Sequence, residues 1–100
     1  MFQKKKRIKS EKYLEWVRGL PCANCQAPGP SEVHHIKGIG SFSGVGKKAS
    51  DYLSMPMCAQ CHRDFHAGYL FQPGYQFSLI VKTIDRAFQE GIIQIKGRSK

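Results

Sequence analysis

The residues best suited to chemistry in this 100-residue sequence are its cysteines and histidines, which lie close together along the chain. Two Cys-x-x-Cys pairs are present, Cys22 with Cys25 and Cys58 with Cys61. All four histidines fall in the same part of the chain, at positions 34, 35, 62 and 66. Thiolate and imidazole groups are preferred ligands of transition metals, so this clustering predicts metal binding.

Two separated Cys-x-x-Cys pairs are typical of a closed tetrahedral zinc site, in which four thiolates satisfy the ion without a water. The alternative, four buried free thiols, requires the same spacing twice by coincidence. In a reducing compartment, which we expect to be the cytoplasm, thiolate ligation is favoured over disulfides. We therefore predict that Cys22, Cys25, Cys58 and Cys61 bind a structural zinc ion. Such an ion contributes on the order of 10 kcal/mol at neutral pH.

The closed zinc site leaves the histidines without a role. A lone histidine is most often a satisfied core or surface residue, but four of them within 33 residues indicate a second site. We predict an open site in which His34, His62 and His66 bind one catalytic divalent ion and His35 is left to act on water. Because this set contains no carboxylate, it admits Mn, Ni, Co or Zn as readily as Mg.

Short secondary-structure elements must position these side chains. The segment 32–36 reads as a strand, in which successive side chains point to opposite faces, so its two adjacent histidines should not share one environment unless the strand is bent or bulged. Residues 51–57 resume an extended path into the second cysteine pair. A helix over residues 62–66 then places its two histidines four apart on one face, and Gly68 ends it.

Two further helices flank this centre. Ser10 caps the first, and Gly19 ends it. The second runs from about Phe77 to Glu90 and is followed by a short strand at Ile92–Ile95. Apolar stripes at helical spacing predict both helices: Tyr13, Leu14, Trp16, Val17 and Leu20 in the first, and Leu79, Ile80, Thr83, Ile84, Ala87 and Phe88 in the second. We expect Trp16 to anchor the core rather than to stack on a base.

The balance of charge points to a polyanionic partner. Sixteen Lys and Arg against seven Asp and Glu give a net charge of +9, with the excess at the two ends. No basic amphipathic helix with a broad apolar face is predicted, so nucleic acid is favoured over a membrane surface. A solvated tail that serves only solubility is the alternative. No apolar run approaches the roughly 20 residues of a membrane span, and no apolar segment typical of a secretory signal follows the basic start.

The candidate nucleic-acid contacts lie in a basic arm, residues 1–9, and in a glycine-rich loop, residues 37–50. They are Lys4, Lys5, Lys6, Arg7, Lys37, Lys47 and Lys48. Lysines beside open backbone amides suit contacts with phosphates, which fix position without reading sequence.

Four segments carry a resemblance to the HNH endonucleases over about residues 20–68: Glu32-Val-His-His-Ile36, the glycine-rich loop, Met55-Pro-Met-Cys58-Ala-Gln-Cys-His62, and His66. That family has a ββα-metal fold, a hairpin and a helix around one catalytic ion. A narrower resemblance over about residues 5–90, to the phage-encoded RecA-dependent nucleases, is carried by Leu20-Pro-Cys-x-x-Cys, His-His-Ile-Lys, Gly44-Val-Gly-Lys-Lys-Ala-Ser-Asp-Tyr52 and Phe65-His-Ala-Gly68.

The resemblance implies roles for individual residues. His34 would be a metal ligand and His35 the general base that activates water for in-line attack on a DNA phosphodiester. His62 and His66 would complete the coordination of the ion, although His62 directly follows Cys61 and is alternatively a group that supports a ligand. The products would carry 5′ phosphate and 3′ hydroxyl ends.

The sequence departs from the HNH pattern at one position. The asparagine that many of these enzymes place before the second cysteine pair is absent, and Asp51 is the nearest polar substitute. Asp51 is therefore a third candidate catalytic residue beside His34 and His35. It either bonds the backbone near His35 and orients the ring, or is only a turn residue.

By this resemblance we expect an α+β fold, a zinc-stapled ββα-metal core with an N-terminal and a C-terminal helix, in one domain over residues 10–95 with a basic tail at 96–100. The first functional hypothesis is a metal-dependent DNA endonuclease of phage or prophage recombination or DNA processing, with nonspecific or structure-guided cutting. The second is a zinc-stabilised nucleic-acid-binding module without catalysis. The third is an accessory recombination nuclease that cuts only when a RecA filament presents the DNA.

Overall fold

The computed structural model describes residues 8–36, 49–68 and 73–95. In chain order, these hold five elements: helix α1 (Glu11–Arg18), strand β1 (Glu32–His35), strand β2 (Ser54–Met57), helix α2 (Ala59–His66) and helix α3 (Pro73–Gln89). The two strands pair as an antiparallel sheet, and the three helices lie around it. The predicted α+β class is confirmed for this part of the chain.

Helix α1 begins and ends where the sequence predicts. The Ser10 hydroxyl accepts a hydrogen bond from the Tyr13 backbone N–H at 3.2 Å, which satisfies one of the amides exposed in the first turn. At the other end, the Gly19 N–H donates to the carbonyl of Trp16 at 3.1 Å. Tyr13 and Val17 are buried on the inner face of the helix.

Trp16 joins α1 to the end of α3. Its indole packs against the small cluster formed by Tyr13, Val17 and Ala87, and its Nε1–H donates to the Glu90 carboxylate at 2.9 Å. A buried indole body with a hydrogen-bonded N–H is the usual arrangement of a structural tryptophan. This packing supports the expectation that Trp16 anchors the core.

The buried hydroxyl of Tyr13 yields a stability prediction. Tyr13 is 1% exposed and its hydroxyl makes no hydrogen bond within the described residues. Burial, assisted by the neighbouring Tyr52, raises the pKa of Tyr13 to about 12. The fold therefore favours the neutral phenol, and this preference contributes to the free energy of unfolding. The contribution is complete below about pH 10, where an unfolded tyrosine titrates, and is lost as pH rises through about 12.

Tyr13→Phe removes a buried polar group without a partner, so we expect the free energy of unfolding near neutral pH to stay constant or rise by about 1 kcal/mol. The variant should also lose less stability than the wild type between about pH 10 and 12. Urea unfolding at both ends of this range measures the two effects, with Tyr75→Phe, a change at an exposed tyrosine, as the control. A variant that is clearly less stable at neutral pH would show that the hydroxyl is bonded.

The sheet is short and sets the positions of the two adjacent histidines. Its register pairs His34 with Met55 and His35 with Ser54. His34 is buried, while His35 is only partly covered, so the neighbours face different surroundings as the alternation of a strand requires. All four residues of β2 are buried because α3 packs against this strand.

The approach to β2 is a turn, and the predicted extended path is wrong over residues 51–53. The Leu53 N–H donates to the Ser50 carbonyl at 2.9 Å, and the Ser54 hydroxyl donates to the Asp51 carbonyl at 2.7 Å. Short polar side chains that bond nearby backbone favour turns over strands. The turn is what brings the Asp51 side chain back toward β1.

Helix α2 begins three residues earlier than predicted, so that Cys61 lies on the helix and not before it. The reason is a sulfur N-cap: the Cys58 side chain accepts from the Cys61 backbone N–H at 3.4 Å. The sulfur replaces the side-chain oxygen of a usual N-cap, so the helix begins at Ala59, directly after Cys58. Gly68 adopts a positive φ of 94° after the last turn, as expected of a residue that ends a helix.

Helix α3 also begins earlier than predicted, at Pro73 instead of about Phe77. Proline suits the first turn of a helix because its missing N–H would have no partner there. The extra turn adds Gln76 to the buried face, which the sequence did not predict. This face consists of Gln76, Leu79, Ile80, Thr83 and Ala87.

Two expectations for the end of α3 are wrong. Phe88 was placed in the apolar stripe but is 47% exposed. The predicted strand at Ile92–Ile95 is absent, because Gly91 at φ 77° turns the chain and the N–H groups of Ile92 and Ile93 both donate to the Ala87 carbonyl. Backbone groups used to close the helix are not available to a sheet.

Several predicted residues lie outside the described part of the chain. They are the phosphate-contact candidates Lys4, Lys5, Lys6, Arg7, Lys37, Lys47 and Lys48, most of the glycine-rich loop, and the basic tail at 96–100. Among the helices that are described, none has the length and apolar character that crossing a membrane requires.

Candidate functional site

The four cysteines come together as predicted, from two distant parts of the chain. Their sulfur atoms all lie within 4.8 Å of one another, and those of Cys25 and Cys58, one from each pair, are 3.7 Å apart. The first pair sits in the turn after Leu20, and the second at the start of α2. The Ala23 N–H donates to the Pro56 carbonyl at 2.8 Å and holds the first turn against β2. This cluster could bind a structural metal ion such as zinc.

The surroundings of the sulfurs suit thiolate ligands. Burial alone raises the pKa of the Cys22 thiol, but backbone N–H groups, that of Cys25 first, lower it to about 6. The Asn24 amide donates to the Cys61 sulfur at 3.2 Å, while burial and the neighbouring thiols raise the pKa of Cys61 to about 12. Four thiols this close cannot all ionise unless a cation neutralises them. The donor set therefore fits zinc, which takes four thiolates in closed sites.

Three of the four histidines form a second cluster, also as predicted. One ring nitrogen from each of His34, His62 and His66 lies within 4.8 Å of the others. The ring centroid of His34 lies 5.2 Å from that of His62 and 5.6 Å from that of His66. His34 is buried and His66 is exposed, so the cluster opens to solvent at the end of α2. Three imidazoles this close together could hold a transition metal ion.

The packing of α2 on the sheet creates this cluster. His62 and His66 are four residues apart and occupy the same helix face, with their ring centroids 4.7 Å apart. Phe65 lies on the buried side of the helix and places its ring edge against His34 at 4.6 Å between centroids. The aromatic contact fixes the distance between the helix and β1.

Helix α3 supplies a partner for His34 that the sequence did not reveal. The Gln76 side-chain oxygen lies 3.0 Å from His34 Nε2, and both residues are buried. Since a carbonyl oxygen only accepts, Nε2 carries the proton and Nδ1 is the nitrogen with the lone pair. If His34 binds a metal ion, this bond leaves Nδ1 as the ring nitrogen that can do so.

Glu32 supplies the corresponding partner for His62. Its carboxylate lies 2.7 Å from His62 Nδ1. Glu32 and His34 are two residues apart on β1 and so share a face of the strand, which is a signal that sequence reasoning could have used. This contact joins the sheet to the exposed side of α2.

His35 lies on the other side of β1 and is paired with Asp51. The His35 Nε2 atom is 2.9 Å from one carboxylate oxygen, and the second oxygen accepts from the Ser10 N–H at 2.7 Å. Both side chains are largely buried, at 11% and 5% exposed. Asp51 therefore holds the ring itself, where the sequence-based alternatives were the nearby backbone or a simple turn. It also forms part of a turn.

The Asp51 carboxylate leaves His35 with a defined tautomer. A carboxylate accepts and does not donate, so Nε2 carries a proton and Nδ1 keeps the lone pair. The same arrangement in other proteins orients a histidine that removes a proton from water or a hydroxyl group. Backbone groups reinforce it, because the Asp51 N–H donates to the Ile8 carbonyl at 2.9 Å.

Comparisons with known proteins find relatives without an assigned activity. A family model described as "Protein of unknown function (DUF968)" matches residues 2–91. The chain is 38% identical over 93 residues to "Uncharacterized protein YdfU" from Escherichia coli strain K12. This alignment covers 90% of the chain but 26% of the relative, so the chain spans about a quarter of that protein's length. No solved structure matches the chain.

Proposed function

Since the chain belongs to the DUF968 family, whose description assigns no activity, we propose its function from its own candidate site. In this proposal the protein is a metal-dependent DNA endonuclease of the HNH type with a ββα-metal core. One observation carries the proposal. Adjacent residues of β1 lie in two complementary sites, His34 in a three-histidine cluster and His35 against a buried carboxylate. Phosphodiester hydrolysis needs both ion binding and proton transfer, so the proposal requires one phosphate to be within reach of both sides of β1.

His35 is the general base in this proposal. Asp51 holds Nε2–H, which leaves Nδ1 to take a proton from the attacking water. The water oxygen forms a bond to phosphorus, the bond from phosphorus to the 3′ oxygen breaks, and a proton from solvent completes the departing hydroxyl. The products carry 5′ phosphate and 3′ hydroxyl ends.

His34, His62 and His66 are the proposed ligands of the catalytic ion, which is Mg, Mn, Ni, Co or Zn. When bound, the ion supplies positive charge beside the scissile phosphate and the departing oxygen. The zinc-binding cysteines have a different task, since they attach the start of α2 to the turn after Leu20 and so keep the helix histidines facing β1.

DNA is the proposed substrate because the chain carries a net charge of +9. Contacts with phosphates supply affinity that falls steeply with salt and does not depend on sequence. Because the sequence resembles the phage-encoded RecA-dependent nucleases, the proposed role lies in phage or prophage recombination or DNA processing. A RecA filament that presents the DNA is a further proposed partner.

Nicking of supercoiled plasmid by the purified chain tests the proposal, with EDTA, Mg²⁺ or Mn²⁺ added. We expect nicking that requires the added ion and is lost when both helix ligands are removed in the double variant His62→Ala, His66→Ala. Gln60→Ala, an exposed change on the same helix, is the control that should keep activity.

The alternative of a zinc-stabilised binding module predicts a different result. The wild type and the double variant His62→Ala, His66→Ala would then bind DNA with equal affinity and equal salt dependence. Neither would nick the DNA, even when a RecA filament presents it. Nicking that appears only with the filament would instead assign the accessory role.

A further inference from the structure

The ring nitrogens of His62 are distinguished by the contact with Glu32. A neutral imidazole binds a metal through the nitrogen that has no proton, and the hydrogen bond at the other nitrogen decides which one that is. Glu32 Oε1 lies 2.7 Å from His62 Nδ1. An ionised carboxylate only accepts, so this contact places the proton on Nδ1 and the lone pair on Nε2.

The position of Glu32 is set by the strand and not by local sequence. It begins β1, 30 residues before His62, and its side chain shares a strand face with His34. The Glu32 side chain is 55% exposed and that of His62 is 20% exposed. A polar contact this exposed contributes little to stability, so stability is a weak reason for it.

A comparison with His34 shows a common arrangement. His34 is buried and its partner is the neutral amide of Gln76, whereas the more accessible His62 is paired with a carboxylate. A buried carboxylate would carry a large desolvation cost, which an amide avoids and an exposed carboxylate does not incur. Each of these two ligand candidates thus has an acceptor suited to its burial.

We propose that Glu32 is a positioning residue that holds His62 in the Nδ1–H tautomer, so that Nε2 binds a divalent transition metal ion together with His34 and His66. The proposal rests on the proposed function in that it assumes an ion at the histidine cluster. It assigns His62 as a ligand, which the sequence left open, and gives Glu32 a role outside the four histidines.

The tautomer can be measured directly. Imidazole ¹⁵N shifts of the zinc-bound protein are recorded near pH 8 without other metals. We expect the Nδ1–H form of His62 in the wild type and a shift toward the Nε2–H form, which free imidazole prefers, in Glu32→Ala. A wild-type His62 in the Nε2–H form overturns the proposal.

Metal affinity is the second measurement. Cobalt is titrated into the zinc-bound protein, and its visible absorption bands report binding at the histidine cluster. We expect about 10- to 100-fold weaker Co²⁺ binding in Glu32→Ala, the range typical when the partner of a ligand histidine is lost. Glu32→Gln, which keeps an acceptor without the charge, should fall in between.

Glu15→Ala, an exposed change of the same type on α1, is the matched control and should bind Co²⁺ as the wild type does. Equal affinity of Glu32→Ala and Glu15→Ala overturns the inference. The outcome is separate from that of the proposed function: a Glu32-dependent Co²⁺ site in a protein that never nicks DNA retains this inference and removes the nuclease. A wild type that binds no Co²⁺ at this cluster overturns this inference, and the nicking assay with Mg²⁺ or Mn²⁺ then decides the nuclease separately.

Discussion

Replacing His35 with alanine is expected to reduce plasmid nicking by about 10²- to 10⁴-fold, the usual contribution of a positioned general base. The structure gives the physical reason. Asp51 holds the Nε2 side of the ring at 2.9 Å, and only the Nδ1 side has a lone pair for a proton. Rates of nicking at saturating Mn²⁺ measure the effect, because saturation separates proton transfer from ion binding.

The His35→Ala protein should keep its zinc and the Co²⁺ affinity of its histidine cluster, since His35 lies on the opposite face of β1 from His34. Asp51→Asn should also slow nicking, because an amide cannot accept from both the His35 ring and the Ser10 N–H. Asp85→Asn is its control, since that exposed carboxylate bonds only Gln89 among the described contacts. Wild-type rates in His35→Ala would remove His35 as the base.

The largest expected effect on stability comes from Cys22→Ser. Cys22 is fully buried, and its loss would remove one of four thiolates around the structural ion. Structural zinc contributes on the order of 10 kcal/mol, while a whole domain is stable by about 5 to 15 kcal/mol. We therefore expect Cys22→Ser to lose zinc and cooperative unfolding near neutral pH. Circular dichroism on heating, with zinc content measured on the same sample, tests this.

Ala23→Ser is the matched control for this change. It introduces the same hydroxyl in the neighbouring, partly buried position of the same turn and should retain zinc. Removal of zinc from the wild type by a strong chelator should reproduce the Cys22→Ser result. If Cys22→Ser unfolded cooperatively with the same midpoint temperature as the wild type, the cysteine cluster would not be the main support of the fold.

The cysteine and histidine clusters were accessible from sequence because residue type and spacing determine them. Two Cys-x-x-Cys pairs require only local turns to present their sulfurs, and histidines four apart on a helix face the same way by geometry alone. Likewise, Ser10 has a strong preference for the N-cap position, and α1 begins there. Such features depend on a few neighbouring residues, so the chain itself specifies them.

The partners of the histidines depend on contacts between distant residues and were not accessible in this way. Gln76 meets His34 across 42 positions and Glu32 meets His62 across 30. The sequence placed Gln76 before the helix, so no buried face was expected to include it. The failed strand at Ile92–Ile95 has a similar origin: β-branched residues favour strands, but pairing needs an open edge that propensity does not supply.

The separation of the two cysteine pairs has a further consequence. An ion held by both would cross-link the chain at Cys25 and Cys58, which are 33 positions apart, and so close a ring that contains both strands. The entropy of closing such a ring grows only with the logarithm of its length, and doubling the length costs about 0.6 kcal/mol. A change in the length of this ring, made away from the turn that holds Asp51, should therefore alter the free energy of closing the ring only slightly.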